Sequence, residues 1–384
     1  MKMRFLSILF VAVLPATAHS QTLIKRTMVS AGAGHNFSPV ALRLPTGNFA
    51  FVWGYSTSGD NDVLIPYGRV MKPNGTSATP VRKNLLTAPL YPYQRFTAGL
   101  TAGGRVLVVG TRASDSYLIV RPYDTTLRAK GAMVPTGVTG YTPSIVPGAS
   151  SGALMGYEGA TASIVPLDEA GRATDQPLAI LSPDSTAHFW IDDVVLAPGG
   201  YLAAGRESKS GKTRAAAAYV PDDLSAAGGL SFYEAARWSN TFLTQCSFDG
   251  STGLTVFGHS VSDSRSSGYI RQLTSKGVPT GARKRFPAGV KLSSHYRIVP
   301  LTGTGRYAAA WLSGYVNGYV QILSANGSPI GSPLPVAEAD YTINFEYVDM
   351  AWDPTSSTLA IVYSMLRTEP DYRYELWAAF YKVE

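Results

Sequence analysis

GRYAAAWLSGYVNGYVQILSANGSPIG, from Gly305 to Gly331, holds the unit on which the whole chain is built. A Gly-led turn opens onto an apolar run from Tyr307 to Leu312. A short polar link follows, then a second apolar run from Tyr319 to Leu323 that ends in the turn dipeptide Asn326-Gly327. Two such runs bounded by turn residues, the second closed by Asn-Gly, predict strands of an antiparallel meander.

The same grammar recurs seven times. The copies read GNFAFVWG from Gly47, GRVLVVGT from Gly104, GALMGYEG from Gly152, GYLAAGRE from Gly200, GLTVFGHS from Gly253, GRYAAAWL from Gly305 and STLAIVYS from Ser357. Successive starts lie 57, 48, 48, 53, 52 and 52 residues apart, a period of about 52. Each copy carries a second strand downstream, and turn dipeptides follow it at Asn74-Gly75, Ala170-Gly171, Lys276-Gly277 and Asn326-Gly327. A period of this length with several short strands predicts propeller blades rather than a helical solenoid. The fold class is therefore all-β, a seven-bladed β-propeller over residues 19–384, with no linker or second domain.

The two ends complete the count. The seventh copy stops at Tyr381-Lys382-Val383-Glu384 without an outer strand, whereas Thr22 to Val29 form a strand that no copy uses. Pairing that N-terminal strand with Tyr374 to Val383 closes the ring and removes two exposed edges.

Ahead of it, MKMRFLSILFVAVLPATAHSQ has basic Lys2 and Arg4, a short apolar core and the small-x-small run Ala16-Thr17-Ala18. This reads as a signal peptide over residues 1–18, with cleavage between 18 and 20, and predicts a secreted or periplasmic protein. No later apolar run is long enough to be a membrane span. Without Lys2 and Arg4 the 33 basic residues fall to 31 against 26 acidic ones, a charge of +5. With the bases mostly scattered, that excess argues against nucleic acid; the densest run, Arg283-Lys284-Arg285, reads as a solvated outer-strand face. The lone Cys246 excludes an intramolecular disulfide and reads as a buried, unreactive thiol.

This pattern resembles the secreted bacterial β-propellers with blades of about fifty residues, over all of the chain beyond the signal segment. The Gly-His and Trp-Asp signatures of WD40 blades are missing. Ser247-Phe248-Asp249-Gly250-Ser251 comes nearest to a sialidase-type Asp box but places its Gly one residue early. The resemblance implies an architecture and carries no activity with it.

Catalytic and cofactor motifs are lacking: there is no P-loop, no His-Glu-x-x-His, no Gly-x-Ser-x-Gly elbow and no complete EF-hand loop. No cofactor or metal is expected. The repeat allows a more pointed search, because equivalent positions on the inner strands form rings around the central channel. Eight residues before each reference position stand Pro39, Phe96, Ser144, Asp192, Gln245, Arg297 and Asp349. Two residues earlier, on the same face, stand Trp190, His295 and Tyr347 among others. Small residues from Ala41 to Ala351 occupy the next level down.

The predicted ligand-binding site is thus Trp190, Asp192, Gln245, His295, Arg297, Tyr347 and Asp349 at the channel mouth. Acid, amide and base beside aromatic rings suit a sugar or another polar, ring-shaped ligand. The alternative is a water-filled channel in which Arg297 is simply paired between two Asp residues. His188 and His259 read as turn or surface residues. The leading functional expectation is an exported, monomeric, non-catalytic binding propeller for a glycan or protein ligand. The alternatives are a glycan-active hydrolase or lyase, with Asp192 or Asp349 as acid/base and Arg297 holding a carboxylate, and a structural subunit of an envelope complex.

Overall fold

The computed structural model describes residues 21–384 apart from 31–33, 58–63, 91–95, 150, 234–239, 251, 263–264, 288–295, 314–316, 337–344 and 368–372. Among the described residues there is no helix long and apolar enough to cross a membrane. The signal segment and His295 lie outside the described residues.

Seven blades form a ring. Their inner strands are His35–Arg43, Thr97–Leu100, Tyr141–Pro147, His188–Ala197, Asn240–Asp249, Tyr296–Leu301 and Phe345–Asp353. Each is the neighbour of the next, and the last returns to the first. Every inner strand pairs antiparallel with the strand after it, and the meander continues outward. Blades 4 and 5 are also stitched by a parallel bridge from Thr213 to Asn240, where Thr213 Oγ1 donates to the Thr241 carbonyl at 2.6 Å.

Both faces of a blade are covered by neighbouring blades, so the middle strands are continuous apolar runs instead of alternating ones. Phe49 to Trp53, Val106 to Val109 and Ala215 to Ala218 are buried at every position. Among the described residues eight hydrophobic clusters fill the seven seams, two of them at the seam of blades 7 and 1. One joins blades 6 and 7 through Leu301, Ile322, Trp352 and Ile361. Another joins blades 7 and 1 through Phe49, Phe51, Val362 and Phe380.

The four Gly turns recur with one geometry. Gly75, Gly171, Gly277 and Gly327 have φ of 73°, 85°, 72° and 76°. Each N–H donates to the carbonyl three residues back, at 2.8–3.0 Å. Glycine is required twice over. The left-handed φ disfavours a side chain, and a Cβ on Gly171, Gly277 or Gly327 would meet Val120, Leu202 or Ile270 of the preceding blade at 2.4, 2.2 or 3.2 Å. Blades 2 and 4 turn instead on Leu127 and Leu224, at φ of 58° and 53°, whose side chains pack into the seam with the blade before.

Closure follows the expected pairing. Gln21–Met28 runs antiparallel to Arg373–Val383, from Gln21 opposite Val383 to Met28 opposite Trp377. Val29 N donates to Leu376 O at 2.8 Å. The register shifts between Leu23 and Lys25, which interrupts a strict two-residue alternation of faces along the strand. Ile24 is the extra residue and stands 41% exposed.

Candidate functional site

The inner strands enclose a central cavity of about 470 Å³ with lining residues from all seven blades. Pro39, Phe96, Ser144, Asp192, Gln245, Arg297 and Asp349 all contribute to the wall, as does Tyr347. Five of these strands carry one extra residue near the mouth. The register shifts at Phe37/Val40, between Tyr141 and Ser144 opposite Gly156/Glu158, at Ile191/Asp193, at Thr241/Leu243 and at Phe345/Val348. A bulge re-aims the side chains beyond it, and in blade 4 this decides which aspartate faces which partner.

Ile191 pairs with Gly205 and Asp193 with Ala204, so Asp192 is the extra, bulged residue of the register. Its carboxylate is turned to Arg206 on the adjacent strand, with Nε 3.0 and 3.1 Å from the two oxygens and Nη2 2.9 Å from Oδ1. Thr244 N of blade 5 donates to the same carboxylate at 2.9 Å. The place expected for Asp192 beside Arg297 belongs to Asp193.

Arg297 bridges two buried carboxylates. Its Nη1 donates to Asp193 Oδ2 at 2.8 Å, and its Nε lies 2.8 Å from Asp349 Oδ1. Ser144 Oγ donates to Asp193 Oδ1 at 3.2 Å and accepts from Val194 N at 3.0 Å. Asp349 accepts from Ala41 N and Met350 N, both at 2.8 Å. One network thus crosses the channel through blades 3, 4, 6, 7 and 1. Burial pushes both aspartates up from the ordinary carboxyl range, against the pull of Arg297. Burial alone would weaken the guanidinium charge, yet the two carboxylates hold it firmly protonated. Two acids share one base, so the cluster carries a net formal charge of −1 when ionised.

Gln245 sits in the wall between these blades, 8% exposed, and its Oε1 has no hydrogen-bond partner among the described residues. Tyr347 is half-buried against the Phe37 and Tyr374 cluster. Trp190, two residues before Asp192, does not line the cavity; it is 44% exposed, with the His188 ring at 4.9 Å in a T-shaped contact.

His188 is not an isolated surface residue. Its Nε2 is 3.5 Å from Oε2 of Glu158, a carboxyl of blade 3 that is only 4% exposed. Ile191 N donates to the other oxygen of Glu158. Burial, with Asp192 adding repulsion, pushes Glu158 up to about 7, opposed by the Ile191 bond and by Arg206. A carboxyl pushed up to about 7 is thus linked through His188 to an exposed indole. Glu158 was not among the expected site residues; the signal it offered is an acid ending the otherwise apolar, wholly buried run from Ala153 to Glu158. Cys246 is buried, 3.4 Å from Tyr233 Oη, and burial pushes its thiol up to about 12, which leaves little thiolate near neutral pH.

No family model and no curated protein matches the chain. Solved structures do. A protein of unknown function from Dyadobacter fermentans superposes with a TM-score of 0.55 at 11% identity, over 95% of this chain and 99% of the other. The β-propeller domain of the Trilobed protease from Pyrococcus furiosus gives 0.51 at 9% identity, over 90% and 95%. The NanB sialidase from Streptococcus pneumoniae gives 0.51 at 10% identity, over 95% and 70%. At such identities the likeness is one of fold, and the fold it shows is the β-propeller.

Proposed function

We propose that the protein is an exported, non-catalytic binding propeller that recognises a glycan at the mouth of its central channel. The observation that carries this reading is Trp190, a large aromatic face left 44% open two residues before Asp192, which lines a cavity large enough for a sugar residue and carrying charged groups in its wall. An open indole gives a sugar an apolar platform, and fixed polar groups beside it give orientation. The binding reading is further supported by the state of the channel acids. Asp193 and Asp349 are both engaged by Arg297, and Asp192 by Arg206, so these carboxylates brace the ring. The N-terminal Met1 to Ala18 segment, with its basic start and small-residue end, supports export.

A glycan-active hydrolase is the second reading, and one observation favours it. Glu158, raised to about 7, is an acid of the kind that donates a proton near neutral pH, and Asp192 lies close enough to repel its charge. One experiment separates the two. The protein lacking residues 1–18 is screened on a glycan array, and each bound glycan is incubated with the protein and analysed for cleavage. Binding without turnover, lost in Trp190→Ala, supports the binding reading. Cleavage that disappears in Glu158→Gln supports the hydrolase.

A further inference from the structure

We propose that the ligand group entering the channel is a cation, the free ammonium of an unacetylated amino sugar. This rests on the glycan reading above and specifies the sugar class for the same site.

Four observations converge. The titratable charges in the cavity wall are three carboxylates, Asp192, Asp193 and Asp349, against one guanidinium, Arg297, among the described residues. Arg206 neutralises Asp192 from outside the wall, which leaves the Arg297 cluster with a formal charge of −1 when both of its carboxyls are ionised. Arg297 donates Nη1 to Asp193 and holds Nε 2.8 Å from Asp349, so its positive charge is already shared between two carboxylates. Finally, Gln245 Oε1 is a buried acceptor without a donor in the same wall.

A buried surplus charge and a buried unpartnered acceptor both disfavour the cavity as it stands. Either deficit is met by a group with several N–H donors and a positive charge. An ammonium fits that description, with three donors and no acceptor. A neutral hydroxyl supplies the donor without the charge, and a carboxylate opposes both. The chain as a whole carries +7, so a cation that binds here does so against the overall charge and through the local site.

The test is isothermal titration of residues 19–384 with three probes: a β-1,4-linked glucosamine tetrasaccharide, its fully N-acetylated counterpart, and a short lysine-containing peptide. The expected result is binding of the free-amine tetrasaccharide at least about tenfold tighter than the acetylated one, the scale of one charge-assisted hydrogen bond. Gln245→Met, which keeps length and removes the acceptor, should weaken that binding by about tenfold or more, while Gln245→Glu should tighten it. Thermal melting of both variants checks that the ring is intact, and Asp193→Asn offers an independent removal of the charge. Equal binding of the two tetrasaccharides would overturn the ammonium inference and leave the glycan reading standing. Binding of the peptide alone would overturn the glycan reading and this inference with it. Free-amine binding unchanged in both Gln245→Met and Asp193→Asn would place the ligand elsewhere and overturn the inference as well.

Discussion

The seam that closes the ring and the channel at its centre are held by different forces. At the seam, Gln21–Met28 and Arg373–Val383 join through a backbone ladder, backed by Phe49, Phe51, Phe380 and their neighbours. In the channel, blades that do not touch along their faces are joined by side-chain charges, as when Arg297 of blade 6 reaches Asp193 of blade 4. The seam is held by a continuous backbone ladder over apolar side chains. The channel leaves a surplus charge and an unpartnered amide oxygen. Stability is concentrated where bonding is complete, and capacity to bind where it is not.

The largest effect should come from breaking the seam. Deleting residues 21–29 exposes the edge of Arg373–Val383 and leaves the ring closed by non-covalent blade contacts alone. We expect the melting temperature to fall by about 10 °C or more, and light scattering to show self-association through the open edge. An unchanged melting point in a monomeric protein would move the closure elsewhere.

Breaking the channel brace should cost less but respond to pH. Arg297→Met leaves Asp193 and Asp349 buried without their base, a loss of about 3–5 kcal/mol at neutral pH. Carboxyls whose folded-state pKa lies above the unfolded value bind more protons when folded, so their cost disappears as pH falls. The gap between parent and variant in urea unfolding should therefore narrow toward pH 4. A gap independent of pH would mean that packing of the Arg297 stem, not its charge, is what matters. Asp192→Asn serves as the contrast, since Asp192 answers to Arg206 and should leave this pH response intact.

How far the chain announces this division is itself instructive. Strand count, blade period and the closing pair depend on apolar runs and turns, which repeat often enough to average out local irregularity. Channel facing depends on single residues. Counting back from Gly200 reached Asp192, but the bulge between Ile191 and Asp193 passed the role to its neighbour. No residue type marks that bulge, because an extra residue is accommodated by backbone geometry that Ile, Asp and Asp all tolerate. Gln245, Arg297 and Asp349 were reached by counting because they lie past any bulge on their strands. Leu127 and Leu224 escaped for a related reason: they take a left-handed turn position where glycine is the visible signal. Glu158 escaped because it belongs to a second strand, outside the rings that were counted. His295 lies outside the described residues.

A smaller effect sharpens the comparison at one buried acid. Glu158, ordinarily a carboxyl of about 4.5, is raised to about 7. The parent should therefore lose stability as pH rises from 4.5 through 7, when the buried acid must ionise. Glu158→Gln keeps an oxygen for Ile191 N and removes the charge. We expect it to be more stable than the parent by about 1–3 kcal/mol at pH 8 and nearly equal to it at pH 4. Equal stability at both values would show that Glu158 ionises freely.

The reading of the channel mouth as a glycan site is tested most directly at Trp190. The measurement is the dissociation constant of the tightest array glycan for the parent and for Trp190→Ala, by isothermal titration, with melting curves to show that both are folded. The expected result is a saturable complex with the parent, weakened about tenfold or more by the substitution. Binding of equal strength in the folded variant, or no glycan bound by the parent at all, would contradict the account.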